Sequence, residues 1–404
     1  MTSEERHETR AQRRRAAREA HKREKLSKYD NFERVADYNS LYRAYKDARK
    51  GVSWKASVQR YGSDLGKNLC RTHNALINGE DVRKGFITFD LMERGKLRHI
   101  QSVHFSERVP QKSLSQNALM PVLENGLIYD NGASRKGMGI SHAIDRITLH
   151  LQEHYAKYGN EGYILQIDLK DYFASIPHDK MKEQIRSKFT DQRIIHLAEQ
   201  FIDAFAEEKM KEMAQFKEAA MEYGEEYARG LGLGSEVCQI CAVSYPDKVD
   251  HYVKDEKGIR PYARYMDDSY IIHIDKEYLK EILEEVRKIY ESLGIRLNDK
   301  KTKIVKLSRG FTFLKTHFLL TDTGKVVKRI CRDSVTRERR KLKKFAKLNA
   351  EGHMSYEQIR AAYQSWRGFA GKKDTYHTIR RMDALFNRLF IENWEYIPYI
   401  PKTV

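Results

Sequence analysis

The chain has 404 residues, which is long enough for two or three packed subdomains. Hydrophobic residues make up 40% of it and charged residues 33%, a composition too apolar for a disordered protein. Its four cysteines exclude a disulfide scaffold, and the absence of both a signal peptide and any run of 18 apolar residues predicts a cytoplasmic protein without membrane association. The net charge of +18 is spread along the whole chain and predicts a polyanionic partner, most often nucleic acid.

The first part of the chain predicts a basic arm, then helices, then two strands. Residues 1–30 are rich in Arg, Lys, Glu and Ala and are typical of a solvated helix or a flexible arm. Residues 31–79 have a helical apolar pattern. Apolar and polar residues alternate over 87–103, which predicts two β-strands with Gly95 at the turn between them.

A helix followed by a strand is predicted in the next segment. The helix covers residues 141–158, with Ser141 as its N-cap and Gly159 ending it. The apolar period then changes to two over residues 163–169, which predicts a strand that carries Asp168 on its less apolar side.

The remaining elements are predicted from the same two periods. In chain order they are a long charged helix over 191–229, a short helix after the glycine-rich segment 230–235, two strands around a tight turn at 262–274, a helix over 277–294, strands between 311 and 330, and helices from Arg332 to about Trp394.

The adjacent carboxylates Asp267 and Asp268, in the segment ARYMDDSYIIHI, are the sharpest chemical feature. Asp-Asp is a poor choice for a two-residue hairpin turn, and neighbouring carboxylates repel each other unless a cation lies between them. Oxygen ligands favour Mg²⁺ or Mn²⁺. The alternative, a solvated turn, is disfavoured because the flanking strands are apolar.

Asp168 supplies a third carboxylate. Alone it would be read as a surface residue at a strand end, but beside Asp267 and Asp268 it completes a set that suits two metal ions about 3.5–4 Å apart. One ion would activate a primer 3′-hydroxyl, and the other would hold a nucleoside triphosphate and its leaving group.

Four segments occur in an order that resembles motifs A, C, D and E of reverse transcriptases: IDLKDYFASIP, YMDD, GIRLNDKKT and FTFLK. Upstream segments at 96–114 and 131–147 resemble the finger motifs of bacterial reverse transcriptases, and residues 363–382 are similar to their thumb. The resemblance implies an α+β right-hand polymerase with an antiparallel palm sheet, N-terminal fingers and a helical C-terminal thumb.

The resemblance also implies a division of the chain into four parts. These are a basic N-terminal arm over 1–30, fingers over 31–160, a palm over 161–320 with an insertion near 190–229, and a thumb over 321–404.

The resemblance implies roles at the catalytic centre. Asp168, Asp267 and Asp268 match the metal ligands, with the backbone of Leu169 as an accessory ligand. Lys301 matches a lysine that protonates the leaving pyrophosphate, and the neighbouring Lys300 is an alternative.

Further matched positions imply contacts to the nucleotide. Arg98 and Arg135, with Lys136, match basic finger residues that cradle the triphosphate; generic contacts to an RNA backbone are the alternative. Phe173 matches the aromatic gate that excludes a ribose 2′-hydroxyl, and its alternative role is ordinary core packing.

Nucleic-acid contacts are implied in two later segments. Phe313 and Leu314 match the primer grip, although Lys315 stands where the family usually has Gly. The basic run just after the primer-grip match is expected to grip the product duplex through Arg339, Arg340, Lys343 and Lys344; a merely solvated helix face is the alternative.

Motif B departs from the common pattern of the family. In LGLGSEVCQICA, Leu233 replaces the usual Gln, followed by Gly234, and Gln239 occupies a later matched position after Cys238. This resembles the variant in diversity-generating retroelement enzymes, and some antiphage-defence reverse transcriptases also vary here. The loss of Gln removes a hydrogen bond near the templating base pair and predicts error-prone copying.

The sequence therefore predicts an RNA-directed DNA polymerase that uses two Mg²⁺ or Mn²⁺ ions, deoxynucleoside triphosphates and an RNA template, and that binds the RNA–DNA duplex. A diversity-generating retroelement is the predicted setting. The alternatives are an antiphage-defence enzyme that works with a structured noncoding RNA or a helper protein, and a catalytically silent RNA-binding scaffold, against which the intact carboxylate set argues.

Overall fold

A computed structural model describes residues 13, 17, 24–93, 96–214, 229–232 and 234–391. Most of the predicted arm, the predicted turn residue Gly95, the motif B residue Leu233 and the C-terminal Trp394 lie outside the described residues. None of the helices in the described ranges has the length and apolar character needed to cross a membrane.

The N-terminal part is helical except for one hairpin. Its helices are α1 Phe32–Ala36, α2 Tyr38–Ala48, α3 Ala56–Ser63, α4 Leu65–Ile77, α5 Phe105–Leu114 and α6 Met120–Leu123, with a π-helical turn at Ser115–Leu119 and a 3₁₀ turn at Glu124–Gly126. The hairpin strands β1 Phe86–Glu93 and β2 Lys96–Val103 pair antiparallel along their full length.

The central part alternates helices with short strands. The strands are β3 Tyr163–Asp168, β4 Tyr262–Tyr265, β5 Asp268–His273 and β6 Lys303–Lys306. The helices are α7 Ile140–Tyr158, α8 Tyr172–Ser175, α9 His178–Lys188, α10 Gln192–Ala214, α11 Glu236–Ser244, α12 Asp247–His251 and α13 Lys276–Ser292, with a π-helical turn at Tyr252–Glu256 and a 3₁₀ turn at Leu307–Arg309.

The C-terminal part begins with a small sheet and ends in helices. Its strands β7 Phe311–Phe313, β8 Thr316–Leu320 and β9 Val326–Ile330 form a three-stranded antiparallel sheet. The helices α14 Arg332–Ala350, α15 Tyr356–Gly371 and α16 Tyr376–Phe390 follow and pack on each other through Leu342, Ile359 and Phe386.

The four-stranded sheet has the order β4-β5-β3-β6, and all of its strands pair antiparallel. The side chains of β3 alternate between two apolar cores, because successive residues of a strand point to opposite faces. Ile164 packs in the core that includes Ile147 of α7, whereas Leu165 packs in the core that includes Ile282 and Val286 of α13. The sheet is therefore covered on both faces, and the α+β prediction is confirmed.

One predicted helix start differs from the structure, and the predicted helices after Arg332 are three in number. The helix predicted to start at Ser141 begins at Ile140 with Gly139 as its N-cap. Gly139 has a φ of 123°, which a residue with a side chain rarely adopts, so the glycine fixes the start of the helix upstream of the serine. The continuous helical pattern after Arg332 is split into three helices, the second of which begins with a capping box formed by Ser355 and Gln358.

Candidate active site

Strand pairing brings the predicted carboxylates together. Asp168 is the last residue of β3, Asp268 is the first of β5, and the two are cross-strand partners. Asp267 occupies the two-residue turn between β4 and β5, and its carbonyl accepts a hydrogen bond from Leu169 N at 3.3 Å. All three aspartates line a cleft of about 590 Å³.

The cleft places like charges in a poorly solvated position. Burial raises the pKa of the Asp268 carboxyl to about 7, and repulsion from Asp267 and Asp168 adds to this shift. The Lys301 ammonium acts in the opposite direction. A cation in this cleft would therefore stabilise the ionised form of the Asp268 carboxyl in place of the proton.

Lys301 and Asn298 converge on Asp168. The Lys301 ammonium donates to both carboxylate oxygens of Asp168 at 3.0 and 2.9 Å, which raises the pKa of Lys301. Asn298 donates from its side chain to Asp168 Oδ1 at 2.9 Å and from its backbone to the Asp168 carbonyl at 2.8 Å. Lys300 lines the same cleft.

Asn298 was missed by the sequence reasoning. It lies three residues before Lys301 in the segment GIRLNDKKT, so the spacing to the matched lysine was the available signal. The backbone of this segment runs antiparallel to the end of β3 through a bridge between Leu169 and Leu297, which is why both side chains reach Asp168.

The donor set fits a divalent cation with oxygen ligands. Within the ranges that the structure describes, no three His, Cys, Asp or Glu side chains already stand in a metal-binding arrangement. The Lys301 ammonium instead neutralises Asp168. Three carboxylates from adjacent strand ends, one of them with its pKa raised to about 7, are the hard ligands that Mg²⁺ or Mn²⁺ prefers.

The predicted primer-grip residues form a tight turn at the edge of the cleft. Leu314 and Lys315 connect β7 to β8 with φ angles of 44° and 60°, the region that glycine enters most easily. Phe313 is buried, with its ring 5.1 Å from that of Tyr270 on β5, whereas Leu314 is half-buried. Phe313 therefore packs in the apolar core next to β5.

Several predicted nucleotide-binding residues line a second cavity of about 590 Å³, separate from the carboxylate cleft. They are Arg135, Lys136, Gly234 and Gln239. Gln239 donates to Ser134 Oγ at 2.9 Å, and Arg135 donates to the carbonyl oxygens of Ile128 and Asn131 at 3.0 and 2.8 Å. Part of the Arg135 guanidinium is thus committed to its own loop.

Gly234 has a packing reason to be glycine. A Cβ atom at this position would lie 2.4 Å from the Gln101 carbonyl oxygen on β2, so only a bare backbone fits. The following Ser235 caps α11 by accepting from Cys238 N at 3.3 Å, and it donates to the buried Gln111 at 3.0 Å. Motif B is therefore anchored directly on the β1–β2 hairpin.

Phe173 and the predicted duplex-binding cations lie apart from both cavities. Phe173 is half-buried in α8, packs against the main core, and lines neither cavity. Arg98 lies on β2 opposite Leu91. The four predicted duplex-binding cations are all exposed on α14: Arg339, Arg340, Lys343 and Lys344.

Comparisons with known proteins found a matching protein family and a bacterial relative. A family model described as "Reverse transcriptase (RNA-dependent DNA polymerase)" matches residues 84–318, more than half of the chain. Protein YkfC of Escherichia coli (strain K12) is 23% identical over 253 residues, covering 54% of this chain and 62% of that protein.

Two solved structures are also similar to this chain. Telomerase from Candida albicans, in complex with a fragment of telomeric RNA, has 13% identity and a TM-score of 0.45, with 76% of this chain and 55% of that chain covered. Apo telomerase from Candida Tropicalis has 15% identity and a TM-score of 0.45, with coverages of 78% and 60%. The chain therefore spans less than two thirds of the length of these relatives.

The raised pKa of Asp268 predicts a pH-dependent stability of the metal-free protein. The folded state holds this proton more tightly than the unfolded state, so the stabilisation is complete below the ordinary value of 3.8 and is lost as the pH rises through about 7. Asp268→Asn should remove this loss, which is on the order of 2–4 kcal/mol. Urea unfolding in EDTA between about pH 4 and 8 measures it.

The control for this measurement is the exposed Glu281 on α13, changed to Gln. Its unfolding curve should follow that of the wild type at every pH. A constant difference between wild type and Asp268→Asn across the range would contradict the assignment.

Proposed function

The chain belongs to the reverse transcriptase family, and from that premise we propose that it is an RNA-directed DNA polymerase that copies an RNA template into DNA from deoxynucleoside triphosphates. The observation that carries the proposal is the cross-strand pairing of Asp168 with Asp268, which places three carboxylates and Lys301 in one cleft.

Asp168, Asp267 and Asp268, with the Leu169 carbonyl, would hold two Mg²⁺ or Mn²⁺ ions. When bound, such ions activate the primer 3′-hydroxyl and neutralise the charge that develops on the triphosphate. Asn298 orients Asp168 by holding both its side chain and its backbone.

Lys301 is the proposed acid for the leaving pyrophosphate. Asp168 raises the pKa of Lys301, which keeps the side chain an ammonium at neutral pH and beside the reacting groups. Lys300 is the alternative, because it lines the same cleft. Arg135, Lys136 and Gln239 would contact the incoming nucleotide from the second cavity.

The proposed setting is a diversity-generating retroelement. Support comes from Leu233, Gly234 and Gln239 in motif B, whereas Cys238 stands where that variant has Ser; Leu233 lies outside the described residues. A near-duplicate template and variable repeat in the flanking DNA, differing at adenines, would support this setting. A noncoding RNA without such repeats would favour the alternative of antiphage defence.

We predict that Asp267→Ala combined with Asp268→Ala abolishes DNA synthesis, because the remaining carboxylate cannot hold the metal ions. The measurement is primer extension on an RNA template with Mg²⁺ or Mn²⁺ and deoxynucleotides. The exposed Glu281→Gln serves as the control and should extend normally. Undiminished synthesis by a folded double variant would refute the proposed mechanism. Failure of the wild type itself to extend any primer would favour the silent RNA-binding scaffold.

Phe173 is the proposed gate against ribonucleotides. Phe173→Ala should raise the ratio of ribonucleotide to deoxynucleotide incorporation, because the smaller side chain leaves room for a 2′-hydroxyl. Single-nucleotide addition with each substrate gives the ratio. Phe345→Ala removes a similarly half-buried ring from α14 and should leave the ratio unchanged. An unchanged ratio in both variants would show that Phe173 only packs.

The exposed cations of α14 are proposed to grip the phosphates of the product duplex. Replacing Arg339, Arg340, Lys343 and Lys344 by Ala should weaken RNA–DNA duplex binding for every sequence. It should also flatten the log–log salt dependence by roughly 0.7–0.9 per lost phosphate contact. Salt titrations of both proteins measure the slope. Ala substitution of the exposed Lys276, Lys280 and Lys288 on α13 is the control, and equal slopes for all proteins would place the duplex elsewhere.

A further inference from the structure

A completely buried ion pair lies directly beneath the catalytic turn. The side chains of Arg264 on β4 and Asp250 on α12 are both 0% exposed. The guanidinium donates to the carboxylate through two parallel bonds, Nε to Oδ1 at 2.8 Å and Nη2 to Oδ2 at 2.7 Å. Tyr262 donates to the same carboxylate at 2.6 Å. A buried ion pair destabilises a fold unless the other N–H groups of the arginine also find hydrogen-bond acceptors.

Two further N–H groups of Arg264 bind backbone carbonyls of two other segments. Nη2 donates to the Val243 carbonyl at 2.9 Å, near the end of the motif B helix α11. Nη1 donates to the Met266 carbonyl at 3.3 Å, in the peptide that leads into Asp267. One guanidinium therefore joins α11, α12 and the catalytic turn.

The catalytic turn needs such a tether because it is strained. Met266 has a φ of 57°, a conformation unfavourable for a residue with a side chain. The next two residues are carboxylates that repel each other and Asp168. Relaxation of Met266 would therefore displace Asp267 and Asp268 together.

We propose that Arg264 is a positioning residue for the catalytic carboxylates, with Asp250 as the counter-ion that fixes its guanidinium. By holding the Met266 carbonyl, Arg264 keeps Asp267 and Asp268 in register with Asp168. This inference rests on the proposed function, since it concerns where that site's metal ligands stand.

Arginine has the geometry that this position requires. Its planar fork reaches the Asp250 carboxylate and both carbonyls at once, whereas the single nitrogen of a lysine cannot. Arg264→Lys therefore keeps the charge pair with Asp250 and releases Met266. Tyr262→Phe is the matched control, because it removes one hydrogen bond from the same network and leaves the contact between Arg264 and Met266.

The test measures Mn²⁺ binding to the full chain by electron paramagnetic resonance, with thermal unfolding and single-nucleotide addition on the same samples. Changes in groups that orient metal ligands typically cost about 10–100-fold in metal affinity or activity. Arg264→Lys should lose Mn²⁺ affinity and kcat by that factor with little change in the KM for the nucleotide. Tyr262→Phe should bind Mn²⁺ as the wild type does.

A second variant separates positioning from folding. Met266→Gly removes the backbone strain, so adding it to Arg264→Lys should recover part of the lost Mn²⁺ affinity, whereas a purely structural defect would not be recovered. If Arg264→Lys unfolds, Arg264→Met combined with Asp250→Leu is measured instead, because it removes both buried charges together. This double variant should show the same loss of Mn²⁺ affinity, and wild-type affinity in it would overturn the inference.

Wild-type Mn²⁺ affinity in Arg264→Lys, or equal losses in it and Tyr262→Phe, would overturn the inference. Because Mn²⁺ binding is read without DNA synthesis, that outcome is distinguishable from failure of the proposed function. The latter would appear as undiminished synthesis by the variant lacking Asp267 and Asp268.

Discussion

The whole site depends on one register, the pairing of β3 with β5 that sets Asp168 opposite Asp268. Two carboxylates at facing positions of a covered sheet repel each other, so this register is unfavourable unless positive charge is present. The sheet imposes it because Leu165 and Ile271, paired across the same strands, are both fully buried. Apolar packing thus holds the charged ends together, and burial, with repulsion from Asp267 and Asp168, raises the pKa of Asp268.

Neighbouring segments are built to keep this arrangement rigid. Gly234 lets motif B approach the backbone of β2, and Phe313 packs its ring against Tyr270 on β5. The first contact joins motif B to the β1–β2 hairpin, and the second joins the three-stranded sheet to β5. A site whose ligands repel each other requires such support, because its own electrostatics would open it.

The sequence predicted the elements that carry strong periodicity or paired chemistry. The strand ending at Asp168 and the hairpin holding Asp267 were predicted within a residue or two, because their apolar alternation is undisturbed. The predicted start of α7 was wrong, because the positive φ of Gly139 places the N-cap upstream of Ser141. Asn298 was missed because its role arises only when distant segments pair. The separation of Arg135, Lys136, Gly234 and Gln239 from the carboxylate cleft likewise depends on tertiary packing, which local patterns do not encode.

The pair between Lys301 and Asp168 links charge balance to the proposed chemistry. In the metal-free protein the ammonium neutralises the carboxylate that a metal ion would also require, so the two cations compete for Asp168. The Lys301 side chain is largely exposed, so it has room to move away from Asp168. Any second cation held by Asp168 would repel the ammonium, which would lower the pKa of Lys301 and make it a stronger acid. Under the proposed function, Asp168 would therefore couple the charge of the metal site to the acidity of Lys301.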